Sequence, residues 1–132
     1  MKRYIAIFVA LALVLVLVLF GCTRTRVNTS ADVTLTFIYQ EKNICVTLEE
    51  DEAKKVAVIL NGNRYDPFYL IPSCGFDENI SLKVGGRTFA IACDTCNYVQ
   101  DLGNLRFFDI SKKDMEYIHS LFEKYGGRFP CV

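Results

Sequence analysis

Residues Ile5 to Phe20 form an unbroken apolar run of 16 positions, preceded by Lys2 and Arg3 and closed by Gly21 and Cys22. Polar Thr23–Ala31 follows without periodicity and reads as a tether. Val33, Leu35, Phe37 and Tyr39 then alternate with Thr34, Thr36 and Ile38, and Ile44, Val46 and Leu48 alternate again after the turn at Glu41–Asn43. Period two with β-favouring side chains predicts an antiparallel hairpin, with Cys45 on the face opposite Ile44 and Val46. At Thr47 the period lengthens. Ala53, Val56, Ile59 and Leu60 mark one helical face, Glu49–Glu52 suits a helix start, and Gly62 supplies a stop. A helix over about 49–60 follows, with Thr47 and Glu50 as its capping box.

Asn63–Asp77 is irregular, broken by Pro67, Pro72 and Gly75. Beyond it Ile80, Leu82 and Val84, the Gly85-Gly86 turn, and Thr88–Cys93 make the clearest hairpin of the chain, pairing Val84 with Arg87, Leu82 with Phe89 and Ile80 with Ile91. Asn97–Val99 and Leu105–Ile110 give two more short strands. Met115, Ile118, Leu121, Phe122 and Tyr125 form the apolar stripe of a last helix, capped by Ser111 with Asp114 and ended by Gly126-Gly127. The expected fold is α+β: a single small domain, an antiparallel sheet of about five or six strands packed by two helices, after an N-terminal apolar signal/anchor helix. Its parts are a signal peptide at 1–21, Cys22 with its polar tether at 22–31, and an extracytoplasmic domain at 32–132.

A positive start, an apolar core and a small residue before a boundary is the layout of a secretory signal. At about 1.5 Å per residue the 16 apolar positions reach roughly 24 Å, short of the ~30 Å of a bilayer core. Leu19-Phe20-Gly21-Cys22 resembles the lipobox of bacterial lipoproteins, with Phe20 where a smaller residue is usual. The resemblance implies that Cys22 takes a diacylglyceryl group and is cut before by signal peptidase II. It further implies a membrane partner through the lipid at Cys22, on the cell membrane or outer membrane, facing outside the cytoplasm. Thr23 stands where the inner-membrane retention signal would have Asp.

Charge adds little. The 132 residues carry 15 basic and 15 acidic side chains, and residues 22–132 lose only Lys2 and Arg3, for a net charge of −2. Nothing clusters as a nucleic-acid partner requires. The mean hydropathy of +0.22 owes most to the apolar run.

Cys45, Cys74, Cys93, Cys96 and Cys131 are disulfide candidates outside the cytoplasm, and five is odd, so at least one thiol stays free, pairs between chains or serves chemistry. The connectivity is not readable. Cys93-Asp94-Thr95-Cys96 is also the motif a thiol-redox protein uses, but a strand precedes it and Asn97-Tyr98-Val99 follows, so the helix that lowers a thiol's pKa is not expected. One close cysteine pair is half of a structural zinc site, and no metal is assigned. His119, the one histidine, falls at the border of the apolar stripe as a half-buried structural residue, a Cys–His nucleophile pair requiring Cys74, Cys93 or Cys96 folded beside it. No nucleophile elbow, zinc-protease helix or phosphate loop is present, and Glu49–Glu52 lacks calcium-loop spacing. Tyr65, Phe68, Tyr69 and Phe76 in the irregular segment either cover the core or form a binding loop. The reading is a non-catalytic binding or interaction module of the envelope, without cofactor, its protein or small-ligand partner unknown. The alternative is a thiol-redox or metal-binding protein using Cys93 and Cys96.

Overall fold

The computed structural model describes residues 1–20, 23–67, 75–126 and 129. In chain order its elements are α1 (Lys2–Phe20), β1 (Val33–Tyr39), β2 (Lys42–Thr47), α2 (Glu50–Leu60), β3 (Phe76–Val84), β4 (Arg87–Ala92), β5 (Tyr98–Asp101), β6 (Arg106–Asp109) and α3 (Lys112–Gly126). The six strands form one sheet in the order β2-β1-β3-β4-β5-β6, every neighbour antiparallel. The connection β2–α2–β3 carries the chain over the sheet to the other side of β1.

Strand pleating sends alternate side chains to opposite faces, so cross-strand partners share a face. One row runs across the whole sheet: Val46, Leu35, Leu82, Phe89, Asp101, Arg106. A second holds Ile91, Val99 and Phe108. Both face the helices, and Leu35, Leu82, Phe89, Ile91, Val99 and Phe108 are buried. Helix α2 contributes Ala53, Val56, Ala57 and Leu60, and α3 contributes Met115, Ile118, Leu121 and Phe122. Phe122 meets Phe37 edge-on at 5.5 Å between centroids. At the end of α3, Gly126 lies so close to Phe37 that a Cβ there would stand 2.5 Å from the ring, which is why the helix has no side chain at that point.

The two helices are also joined across their outer edges. Lys124 Nζ donates to Glu52 Oε1 at 2.6 Å and Tyr125 Oη to Glu52 Oε2 at 2.7 Å. Burial pushes the Glu52 carboxyl up, but these two bonds outweigh it and hold it below its ordinary value. Lys55 sits over the Tyr117 ring at 3.5 Å.

The main class, α+β, stands. The N-terminal anchor helix does not: α1 forms, but no helix among the described residues is long and apolar enough to cross a membrane. Its uninterrupted apolar stretch is the 16 residues after Tyr4, which at about 1.5 Å each falls short of a bilayer core.

Three local expectations also change. Helix α2 begins after Glu49, which makes no side-chain cap bond, because Thr47 is used by β2, opposite Thr34. Helix α3 has the expected cap, with the Asp114 amide donating to Ser111 Oγ at 3.1 Å and that hydroxyl to the Asp114 carboxylate at 2.7 Å. In the β3–β4 hairpin Val84 pairs with Arg87 and Leu82 with Phe89, but the register shifts between Phe76 and Ser81, so Ile80 does not face Ile91. Finally, the polar stretch after Cys22 is docked. Thr23 accepts from the Tyr65 amide at 2.9 Å, the Thr25 amide donates to Asn63 at 2.8 Å, and Thr25 Oγ1, 1% exposed, donates to the Leu60 carbonyl at 2.7 Å.

Phe89 occupies the middle of the longest row and makes an edge-on contact with Phe108 at 6.1 Å. Phe89→Ala is expected to cost about 3–5 kcal/mol in chemical denaturation. Thr88→Ala, one position along and on the other face, should cost under about 1 kcal/mol, and equal losses would reject the register.

Candidate functional site

Two polar constructions stand out, at opposite ends of β4 and β5. The first is inside. Asp101 is 0% exposed and lies on the helix-facing side of the sheet, where its row is otherwise apolar up to Arg106. A buried carboxylate requires charge and hydrogen-bond partners. Arg87 Nη2 pairs with Asp101 Oδ2, Tyr65 Oη donates to the same oxygen at 2.5 Å, and the Gly103 amide donates to Oδ1 at 3.0 Å. Arg87 also reaches Tyr65 Oη at 2.8 Å and the Arg26 carbonyl at 2.8 Å. Burial works against the Arg87 cation, but the Asp101 charge outweighs it and raises its pKa. Burial and the bond to Asp101 raise that of Tyr65. Every group in this set is occupied, so it holds the fold and offers no reactive atom.

The second construction is a cleft of about 580 Å³ between the β4–β5 connection, residues 93–97, and the first turns of α3. That size suits a small molecule. The connection is shaped by Asp94, whose Oδ1 accepts from the Cys96 amide at 2.9 Å and whose Oδ2 accepts from the Gly75 amide at 3.4 Å. No helix starts at Cys93; β5 follows at Tyr98. Across the cleft α3 presents Lys112, Met115, Glu116 and His119, which fall on one face because they are three or four residues apart. Lys112 and Glu116 are 3.8 Å apart.

His119 is the group of interest. Its ring stacks on Phe129 at 3.9 Å between centroids and 19° between planes. The Ala92 backbone lies beside it, and Nε2 is buried and has no hydrogen-bond partner. Burial lowers the pKa of His119 below 6.5, outweighing Glu123 and the Ala92 carbonyl, which raise it. The cleft is thus lined by Asp94, Glu116 and His119 against a Met115 wall, with one cation that already has a carboxylate beside it.

The chain matches no protein-family model, no curated protein and no solved structure. The site therefore rests on its own geometry.

Of the residues singled out in the sequence, Cys93 and Cys96 line this cleft and both are disulfide-bonded. Cys45 is a free, exposed thiol on β2. Cys22, Phe68, Tyr69, Cys74 and Cys131 lie outside the described residues. Tyr65, considered for a binding loop, is 3% exposed with its hydroxyl used by Asp101 and Arg87. Phe76 is half-buried and packs on Phe107 at 5.4 Å. Among the described residues, no three His, Cys, Asp or Glu side chains could hold a metal ion together. Sequence reasoning held His119 beside Cys93 or Cys96 only as the condition for a Cys–His pair, and no local pattern required it. The only signal was its place at the edge of the α3 stripe.

Two outcomes are expected. Without reductant, iodoacetamide should modify Cys45 and leave Cys93 and Cys96 unmodified in peptide maps. A histidine whose folded pKa is lowered favours the folded state fully above its unfolded value and loses that contribution as pH falls through the folded one. Unfolding free energy should therefore decline as pH falls below about 6.5, and His119→Leu should remove that part of the decline; an unchanged profile would contradict the buried neutral ring.

Proposed function

We propose that the chain is a lipid-anchored extracytoplasmic binding module of a bacterial envelope, non-catalytic, whose small-ligand site is the cleft between residues 93–97 and α3. The observation that carries the ligand site is the buried, unpartnered Nε2 of His119 in the wall of a 580 Å³ cleft. A buried polar atom left unsatisfied costs about 1–3 kcal/mol, which a ligand that hydrogen-bonds it would relieve. The anchor follows from Cys22 at the end of a lipobox-like segment, acylated on its sulfur and freed at its amino group by the cut before it. The fold supplies no competing reactive group at either construction: the Asp101 set is saturated, and Cys93 and Cys96 are oxidised.

The thiol-redox alternative keeps one supporting observation, that Cys93, Cys96 and His119 line the same cleft. It requires a reducible bond and a low-pKa thiolate once reduced. The Asp94 carboxylate, next to Cys93 in the chain and bonded to the Cys96 amide, opposes a thiolate.

Two measurements test the proposal. Cys22→Ala should leave the precursor uncut, whereas processing to the same mature size would end the lipoprotein reading. For the cleft, Met115 is the sole methionine left after residue 21, so a ¹³C-methyl methionine label gives one signal from the cleft wall. Titration with phenol and aniline fragments should move that signal in the wild type and not in His119→Leu. A signal unmoved by every fragment would remove the cleft as the site.

A further inference from the structure

We propose that the end of the domain where the chain leaves Cys22 is a membrane-docking surface that binds anionic lipid headgroups, with Arg24, Arg26 and Arg64 facing the phosphates and Leu105 entering the interface. The inference rests on lipidation of Cys22 and adds a second, non-covalent contact with the bilayer.

Four segments meet at this end. Arg24 and Arg64 are partners in an isolated antiparallel bridge, so two arginines 40 positions apart in sequence become neighbours. Arg24 Nη1 donates to the Gly62 carbonyl at 2.9 Å, and the Arg26 carbonyl accepts from Arg87. Tyr65, next to Arg64, bonds Asp101 at the end of β5, and Arg106 lies over its ring at 4.5 Å. The β5–β6 turn, residues 102–105, therefore belongs to the same end, as does the Gly85-Gly86 turn before Arg87. Arg24, Arg26 and Arg64 are exposed, and none forms an ion pair with a carboxylate among the described residues. The acidic start of α2, Glu50 and Asp51, lies at the other end of that helix, whose last residue Leu60 bonds Thr25. Exposed Asp32 lies beside the Gly85-Gly86 turn, its carbonyl accepting from the Gly85 amide at 3.4 Å, so the basic excess is local to the Arg24–Arg64 bridge.

The apolar part is independent of the charges. Leu105 is 66% exposed at the tip of the turn and holds a φ of 57°, a region that non-glycine residues rarely adopt. No packing within the domain recompenses that exposure. An exposed apolar side chain at the same end of the domain as exposed arginines is a composition that suits a lipid interface.

The docked stretch makes the geometry possible. Thr23 is hydrogen-bonded to the body, so the described chain begins against this end without a free tether. Each basic side chain near an anionic surface contributes about 1 kcal/mol, roughly fivefold in the docked-to-undocked ratio. Three act together only because the fold adds Arg64 to Arg24 and Arg26, which stand two positions apart in sequence.

The test uses the mature lipidated chain on vesicles. Cys45→Ser removes the free thiol among the described residues, and Gly86→Cys, where a Cβ meets nothing within 4 Å, places a fluorophore at the docking end. Nitroxide lipids in vesicles of mixed phosphatidylglycerol and phosphatidylcholine should quench it. Quenching should fall at least about tenfold in the triple variant Arg24→Glu, Arg26→Glu, Arg64→Glu, and likewise on pure phosphatidylcholine or in 1 M salt, where the Debye length is about 3 Å. Leu105→Ser should weaken it in part. A chain that floats with the vesicles but is unquenched, or is quenched equally on both lipids and in the triple variant, overturns the docking alone. A chain that lacks the acyl mass and does not float overturns the lipid anchor and the docking together.

Discussion

One carboxylate sets the arrangement of half the molecule. Asp101 sits in a cross-sheet row that would otherwise bring an apolar side chain between Phe89 and Arg106, and it is completely buried. Removing one partner from such a buried pair costs about 3–5 kcal/mol where both are enclosed, and less here because Arg87 is one-third exposed. The demand for partners recruits elements far apart in sequence: Arg87 from β4, Tyr65 from the loop after α2, Gly103 from the next turn, and through Arg87 the carbonyl of Arg26. An apolar residue at 101 would have closed the core at this end but would not have specified where residues 23–27 and 61–65 lie. Buried polar sets are costly, and their use here is positional.

That positional use explains which parts of the fold were legible in the sequence. The rows were readable wherever alternation was regular: Val33-Leu35-Phe37 and Leu82-Val84 against Arg87-Phe89 follow from period two and the glycine turn. Ile80–Ile91 failed because a register shift leaves no mark in an apolar pattern. The α2 cap failed because Thr47 had two uses, and the strand took it. The stretch from Thr23 to Val27 looked like a tether because its contacts are made by backbone groups and by Thr25 Oγ1, which hydropathy does not report.

The cleft was half legible. Cys93 and Cys96 stood out by spacing, and His119 by being the only histidine, yet each had a sufficient structural account alone. Their common lining of one cavity depends on how α3 crosses the end of β4, which no local pattern encodes. Tyr65 shows the reverse case. Its aromatic, proline-flanked context suggested a binding loop, but its hydroxyl is the partner that Asp101 needs, and charge rows across a sheet cannot be counted before the register is known.

The antiparallel pairing of β4 and β5 then relates the two ends. Arg87 begins β4 and Asp101 ends β5, so both lie at the end of Arg24 and Arg64, while Ala92 and Tyr98 lead into the cleft connection at the other. The length of β4 from Arg87 to Ala92 separates the two by about 17 Å at the usual rise per residue. A domain held by its arginine end would therefore open its cleft away from the bilayer, toward solution. The buried carboxylate ties these facts together, since it fixes the arginine end to the same two strands whose opposite ends shape the cleft. A change at Asp101 would be felt first at the arginine end, and only by way of β4 and β5 in the cleft itself.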